Sequence, residues 1–388
     1  DHRDLHSFPT RRSSDLGWDW LTRAKYTGGF MLRVLLKAAI LFAIINLLFA
    51  LINPIPALGM ISIYNLLSPG RLRLPYGESE SSYNLSLYDL NAMFASHTLN
   101  GRHNPDEATV LVMGDSAVWG MLLENKDTLA SCLDSRALSV DGRPARFYNI
   151  GYPTLSAAKD LLLLDRAMEY QPDLILWLVT LESMPRSEQL ATPLAQNNAA
   201  AMRDLIAAYD LDLDASDPRF VDLDFIGRTL IGQRRALADW WRLQLYAFPW
   251  AQTGIDQVIG DYTPRSNDFD EDATWYELAG AEQLDDTTLA FDVLNAGIAR
   301  AGNVPVMMIN EPIFVADGVN SGIRYNFWYP RWAYDRYREL MREHADAEGW
   351  AYLDLWDAVP PDEFTDSPVH LTPEGTQMLC GQIAEALP

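Results

Sequence analysis

The 388 residues suffice for one large domain with an insertion or for two domains, and 48% apolar against 21% charged side chains is ordinary for a globular body. Acidic residues outnumber basic ones 53 to 30, a net charge of −23. So acidic a body repels polyanions, which argues against nucleic acid as a ligand, and twelve Trp and seventeen Tyr argue against disorder.

The N-terminal stretch His6–Leu16, HSFPTRRSSDL, resembles a translated sequencing-adapter fragment, so residues 1–16 are expected to be an artefact. Met31 is a candidate start, with Gly17–Phe30 native as the alternative, and residues 17–33 are expected to be cytoplasmic. The first 37 residues hold seven Arg or Lys against four Asp, a net of +3 that leaves −26 for the rest. From Ala38 to Gly70 there is no charged residue, and the most apolar run is Val34–Ile52, with Lys37 near its start and Asn46 inside it. About 20 helical residues cross a bilayer's hydrocarbon core. Residues 34–55 are therefore expected to form a single transmembrane anchor, with Lys37 snorkelling and Pro54 and Pro56 ending it. Arg23, Lys25, Arg33 and Lys37 place its N-terminal side in the cytoplasm and the body outside. A cleaved signal peptide and a buried helix are the competing readings, and Ile55-Pro56-Ala57 is a poor cleavage site.

A linker over 56–104 is expected to lead into one domain over 105–388. Strands are predicted at Thr109–Met113, Phe147–Ile150, Leu174–Val179, Val304–Ile309 and Ala351–Leu355. Helices are predicted at Thr128–Ala137, Leu155–Tyr170, Thr288–Gly302, Arg331–Glu348 and Pro373–Leu387. Strands alternating with helices of this length predict a three-layer α/β/α sandwich around a mostly parallel five-stranded sheet. Residues 185–287 break the rhythm and read as an insertion with an acidic run and a basic, aromatic helix around Trp240 and Trp241. That helix either rests on a membrane surface or covers an internal core.

Ligands of such sheets bind beyond the carboxyl ends of the strands, where Ser116, Gly151, Glu182 and Asn310 each follow a strand. Gly114-Asp115-Ser116 presents a serine on a strand-to-helix turn, whose N–H groups suit a developing oxyanion. Near the C-terminus, Asp366-Ser-Pro-Val-His370 precedes the last helix, so His370 is the candidate base for Ser116 and Asp366 the residue that orients it. His97, His103 and His344 read as surface histidines. Cys132 and Cys380 are either two inert buried thiols or one disulfide, and no spacing of ligand residues implies a metal or cofactor.

These two blocks together resemble the SGNH, or GDSL-like, hydrolase superfamily. Gly114-Asp115-Ser116 matches its first block, and Asp366 through Gly375 resembles its last, an Asp-x-x-His followed by Leu-(Thr/Asn)-x-x-Gly. Asp366 stands four residues before His370 rather than three, with Asp362 as a distant substitute. The second block, Asn-x-Gly-x-x-Gly, appears as Asn149 to Thr154, so the resemblance assigns the second oxyanion-hole N–H, beside that of Ser116, to Thr154. In the third block Glu182 falls where the resemblance expects an Asn donor; an ionised Glu only accepts, so either another donor replaces it, with Asn310 at a strand end as the candidate, or the site has been repurposed.

The resemblance extends to membrane-anchored D-alanyl-transfer proteins and to SGNH proteins paired with membrane-bound O-acyltransferases. It implies a single-pass protein of the bacterial cell membrane with an extracytoplasmic serine esterase or O-acyltransferase domain. Its substrate would be an acylated glycan or lipid, with a membrane-bound O-acyltransferase as partner. The rival expectation is an inactive SGNH-like glycan-binding or acyltransferase accessory protein.

Overall fold

The computed structural model describes residues 27–77, 87–257 and 259–387, so residues 1–16 and the first part of the 17–33 segment lie outside the described residues. The described residues fall into two compact units. One comprises the chain up to Asn53 together with Asp224–Gln233, and the other comprises Pro54–Leu223 and the chain from Arg234.

The first unit is built on a 25-residue helix, Gly28–Ile52, long and apolar enough to cross a membrane. It begins before the expected Val34 because Thr27 caps it, its hydroxyl accepting from Phe30 N–H. It ends before Pro54, which cannot continue a helix, with Asn53 in the left-handed conformation at φ 46°.

The second unit holds a six-stranded sheet: β1 (Ala108–Met113), β2 (Ser139–Val140), β3 (Arg143–Asn149), β4 (Leu174–Val179), β5 (Val306–Asn310) and β6 (Ala351–Asp354). The order is β2-β3-β1-β4-β5-β6, parallel throughout except for the β2–β3 hairpin. The expectation of five strands missed β2, a two-residue edge strand. The turn Asp141-Gly142, with φ 50° and 74°, folds it back on β3.

Alternation along the central strands explains the three layers. In β1 and β4, Leu111, Met113, Ile175, Trp177 and Val179 face one core, which includes residues of the helices Ala157–Ala167, Phe291–Ala301 and Arg331–Glu348. Val110, Val112, Leu174, Leu176 and Leu178 face the other, which includes residues of the helices Leu129–Ser135 and Pro373–Ala386. A strand buried on both faces must be apolar at every position, as LILWLV of β4 is. The fold is therefore an α/β/α sandwich, with the chain departing from β1 to β3 on one side and β4 on the other.

Two expectations need correction. The described residues of 56–104, expected to be linker and domain entry, contribute to the domain's core: Leu74, Met93, Phe94 and Leu99 are fully buried in the larger core, because apolar side chains there close one side of the sandwich. His97 is likewise no surface histidine but fully buried. Its Nδ1 accepts from Leu99 N–H at 3.1 Å, and its Nε2 donates to Leu72 O at 3.2 Å. His103 and His344 are partly exposed; His103 Nε2 bonds Leu99 O and His344 Nε2 bonds Asp286. Cys132 and Cys380, on the two helices of the second core, are joined as a disulfide with Cα atoms 6.3 Å apart.

Candidate active site

The first strand ends at Gly114, whose φ of 153° turns the chain sharply. A Cβ there would sit 2.8 Å from Val118 Cγ2 and 2.9 Å from Leu178 O, so a side chain has no room. Asp115 then caps a one-turn helix, Ser116–Trp119, its Oδ1 accepting from Ala117 N–H at 2.8 Å. Ser116 is the first helical residue, and its N–H has no hydrogen-bond partner among the described residues.

His370 reaches this serine from the far end of the domain. Phe364 and Leu371 form an antiparallel bridge, and Thr365 N–H donates to His370 O at 2.8 Å. The hairpin so closed has Asp366–Val369 as its tip, and this longer tip absorbs the extra residue between Asp366 and His370. Thr372 caps the final helix by accepting from Gly375 N–H at 3.0 Å, and Phe314 N–H donates to Pro368 O at 2.7 Å. The result is one line of side chains: His370 Nε2 lies 2.8 Å from Ser116 Oγ, and His370 Nδ1 lies 2.7 Å from Asp366 Oδ1. Burial works to raise the Asp366 carboxyl, but the hydrogen bond and charge of His370, with Thr365 Oγ1 at 3.2 Å, outweigh it. Asp366 is thereby held below the usual carboxylate range, ionised and facing the imidazole.

Thr154 adopts the conformation that a glycine would favour. Its φ is 92°, a region that a β-branched residue rarely enters. Neither its N–H nor its Oγ1 has a hydrogen-bond partner among the described residues. Strain with unused donors is the signature of a backbone held for a purpose. The other expected contacts are committed elsewhere. Gly151 is buried, with its N–H on Asn149 Oδ1 at 3.0 Å. Glu182 accepts from Tyr276 OH at 2.6 Å and Trp275 Nε1 at 3.3 Å, both from the insertion; burial raises its carboxyl despite these donors. Asn310 is no oxyanion donor: it is fully buried, its Nδ2 donating to Asp354 Oδ1 at 2.8 Å and its Oδ1 accepting from Tyr334 OH at 3.2 Å. Asn310, the last residue of β5, turns its amide to Asp354 because that residue stands opposite it in register on β6.

Sequence reasoning missed a buried polar cluster beneath the turn that carries Ser116. Lys159, fully buried, donates from Nζ to Gly114 O and Tyr152 O, both at 2.9 Å, and pairs with Asp160. Asp160 in turn accepts from Trp177 Nε1 at 3.1 Å. Glu311, buried after β5, faces Asp115; burial first, then the neighbouring Asp115 and Asp160, push its carboxyl well above the usual range. Burial likewise raises the Asp115 carboxyl, against the lowering effect of the Ala117 N–H and of the Lys159 and His370 charges. The available signal was Lys159-Asp160 inside the otherwise apolar helix AAKDLLLL. No residue group among those described has the makings of a metal site.

No family model and no curated protein sequence matches this chain. Solved structures do. A putative arylesterase from Agrobacterium tumefaciens is 14% identical, with a TM-score of 0.33 over 72% of this chain and 97% of its own. A putative lipolytic protein of the G-D-S-L family from Desulfitobacterium hafniense is 11% identical, with a TM-score of 0.34 over 72% and 99%. A catalytic mutant of an acetylxylan esterase from Geobacillus stearothermophilus is 9% identical, with a TM-score of 0.35 over 72% and 93%.

Proposed function

We propose that this protein is a serine ester hydrolase or acyltransferase, held at the outer face of a bacterial cell membrane and acting on acyl esters of envelope glycans or lipids. The observation that carries this reading is the Asp366–His370–Ser116 line, with both imidazole nitrogens engaged at 2.7 and 2.8 Å. His370 Nε2 takes the Ser116 Oγ proton as Oγ bonds the ester carbonyl carbon, while Asp366 accepts from Nδ1–H and stabilises the imidazolium. The oxyanion meets the N–H groups of Ser116 and Thr154, which the protein itself leaves unpaired. Collapse breaks the ester C–O bond, His370 returns the proton to the leaving alcohol, and an acyl-serine remains. Water then gives hydrolysis, or a glycan hydroxyl gives transfer, each deprotonated by His370. A complete proton path of this kind favours catalysis over a glycan-binding or accessory role.

The location rests on the helix Gly28–Ile52 with its basic N-terminal flank, and on the Cys132–Cys380 disulfide, which persists in oxidising compartments. The experiment is covalent labelling with a fluorophosphonate serine probe. The unaltered protein should label and Ser116→Ala should not; undiminished labelling of Ser116→Ala overturns the assignment.

A further inference from the structure

The helix Gly28–Ile52 carries one amide side chain in its apolar length. In hydrocarbon such a group needs a partner for each polar atom. Asn46 has them: its Nδ2 donates to Phe42 O at 2.9 Å within the helix, and its Oδ1 accepts from Ile231 N–H at 3.2 Å. Asn46 and Ala50, four apart on one face, are the helix's two buried residues. One step further, Gln233 Nε2 donates to Asn53 Oδ1 at 3.0 Å. Asn46 and Asn53 are about 10 Å apart along the axis. The two contacts therefore fix the segment Asp224–Gln233, drawn from the insertion, beside the last two turns of the helix.

That segment has an inverted polarity. Its backbone closes on itself: Gly227 N–H donates to Asp224 Oδ1 at 2.6 Å, Arg228 N–H to Asp224 O at 3.0 Å and Thr229 N–H to Ile226 O at 3.1 Å. Gly232 N–H donates to Thr229 Oγ1 at 3.1 Å and Gln233 N–H to Thr229 O at 2.9 Å. The closure is tight enough that a Cβ on Gly232 would lie 2.4 Å from Gly227 O. Three of the side chains it turns outward are large and apolar, with Phe225 53% exposed, Ile226 73% and Ile231 48%, beside the exposed Asp224 and Arg228. Backbone groups paired within the segment lower the cost of contact with hydrocarbon, and apolar side chains exposed beside an apolar helix raise the cost of contact with water.

We propose that Asp224–Gln233 is a second membrane-inserted element, seated in the half of a phospholipid bilayer nearer Asn53 and paired there with the helix Gly28–Ile52. This rests on that helix spanning a membrane. The occupant around the segment is lipid because its apolar side chains continue the exposed apolar surface of Leu47, Leu48, Leu51 and Ile52. Arg228 within it, and Arg234 and Arg235 directly after it in sequence, are exposed and supply the cations that favour phosphate headgroups.

The test uses the full chain in vesicles of phosphatidylcholine and phosphatidylglycerol. Ile226→Cys, Leu41→Cys in the helix and Val319→Cys on the other unit each carry a polarity-sensitive fluorophore; the native cysteines are joined and stay unlabelled. Nitroxide-bearing acyl chains should quench at positions 226 and 41 and not at 319. In Ile226→Cys with Asn46→Leu, quenching at 226 should fall, because Ile231 N–H has lost its acceptor. Quenching at 41 without quenching at 226 overturns the segment's insertion and leaves the spanning helix. Quenching at neither overturns both. Shielding of 226 by a second copy, seen as cross-linking between chains, also overturns it.

Discussion

The Lys159 ammonium donates to the Gly114 carbonyl at 2.9 Å, so the turn that presents Ser116 is braced from beneath by a buried cation. The same ammonium holds the Tyr152 carbonyl at 2.9 Å, two residues before Thr154. One side chain therefore ties the strand end that leads to Ser116 to the turn that holds Thr154. Removing it leaves Asp160, fully buried, without its cation. Lys159→Met is expected to destabilise the protein by about 3–5 kcal/mol, read as a lower urea midpoint, with part of the loss recovered by adding Asp160→Asn. A midpoint that does not move would show that the cation braces nothing.

In the proposed reaction Thr154 contributes only its backbone N–H, so its side chain is dispensable there and its φ of 92° is a strain that glycine would relieve. Thr154→Gly should raise stability by about 1 kcal/mol, measured by thermal unfolding, and leave ester hydrolysis intact. A lower melting temperature would count against strain at this position.

Asp366 reaches His370 despite its unusual spacing, and Asp362 makes no contact with the imidazole. Asp366→Asn should lower kcat by up to about 10⁴-fold, as loss of the orienting carboxylate does in serine triads, and slow fluorophosphonate labelling with it. Asp362→Asn should leave both rates unchanged. Equal losses in the two variants would remove Asp366 from its role.

His97 gives stability a pH dependence unrelated to catalysis. Burial lowers its pKa from 6.5 to about 4, against the raising effect of its hydrogen bond to Leu72 O. Between those values the unfolded chain takes up a proton that the folded chain refuses, so stability rises with pH across this window. The neutral imidazole's contribution is complete above about pH 6.5 and lost on the way down to about 4, a change of about 3 kcal/mol. Denaturation midpoints measured from pH 7 to 4 should fall accordingly. His97→Gln, although less stable at pH 7, should show a flatter profile there.

What the sequence made legible follows from where information is local. Leu174–Val179 could be read to the residue, because a strand covered on both faces has to be apolar throughout. Thr154 stands out only because the resemblance puts it where the block Asn-x-Gly-x-x-Gly has a glycine, and its φ of 92° is a conformation that glycine favours. Long-range pairing was less accessible. That Asn310 spends its amide on Asp354 depends on the register of β5 against β6. That Leu74 and Phe94 are core depends on a surface presented by distant helices. Lys159 and Asp160 read as one charged step on a helix, and only the packed structure brings them beneath Gly114. Ser139–Val140 is too short to have a period, although its Asp141-Gly142 turn was in plain view.

The Cys132–Cys380 link joins positions 248 apart in sequence and encloses the whole insertion, but Ser116 precedes the loop it closes. A protease that nicks the insertion therefore releases nothing. The severed C-terminal piece, which carries His370, stays tethered through Cys380 to the piece that carries Ser116 and the helix Gly28–Ile52. If the domain lies at the outer membrane face as proposed, a molecule clipped by a secreted protease would remain moored in one place with Ser116 and His370 still on the same particle, until a reductant cut the tie.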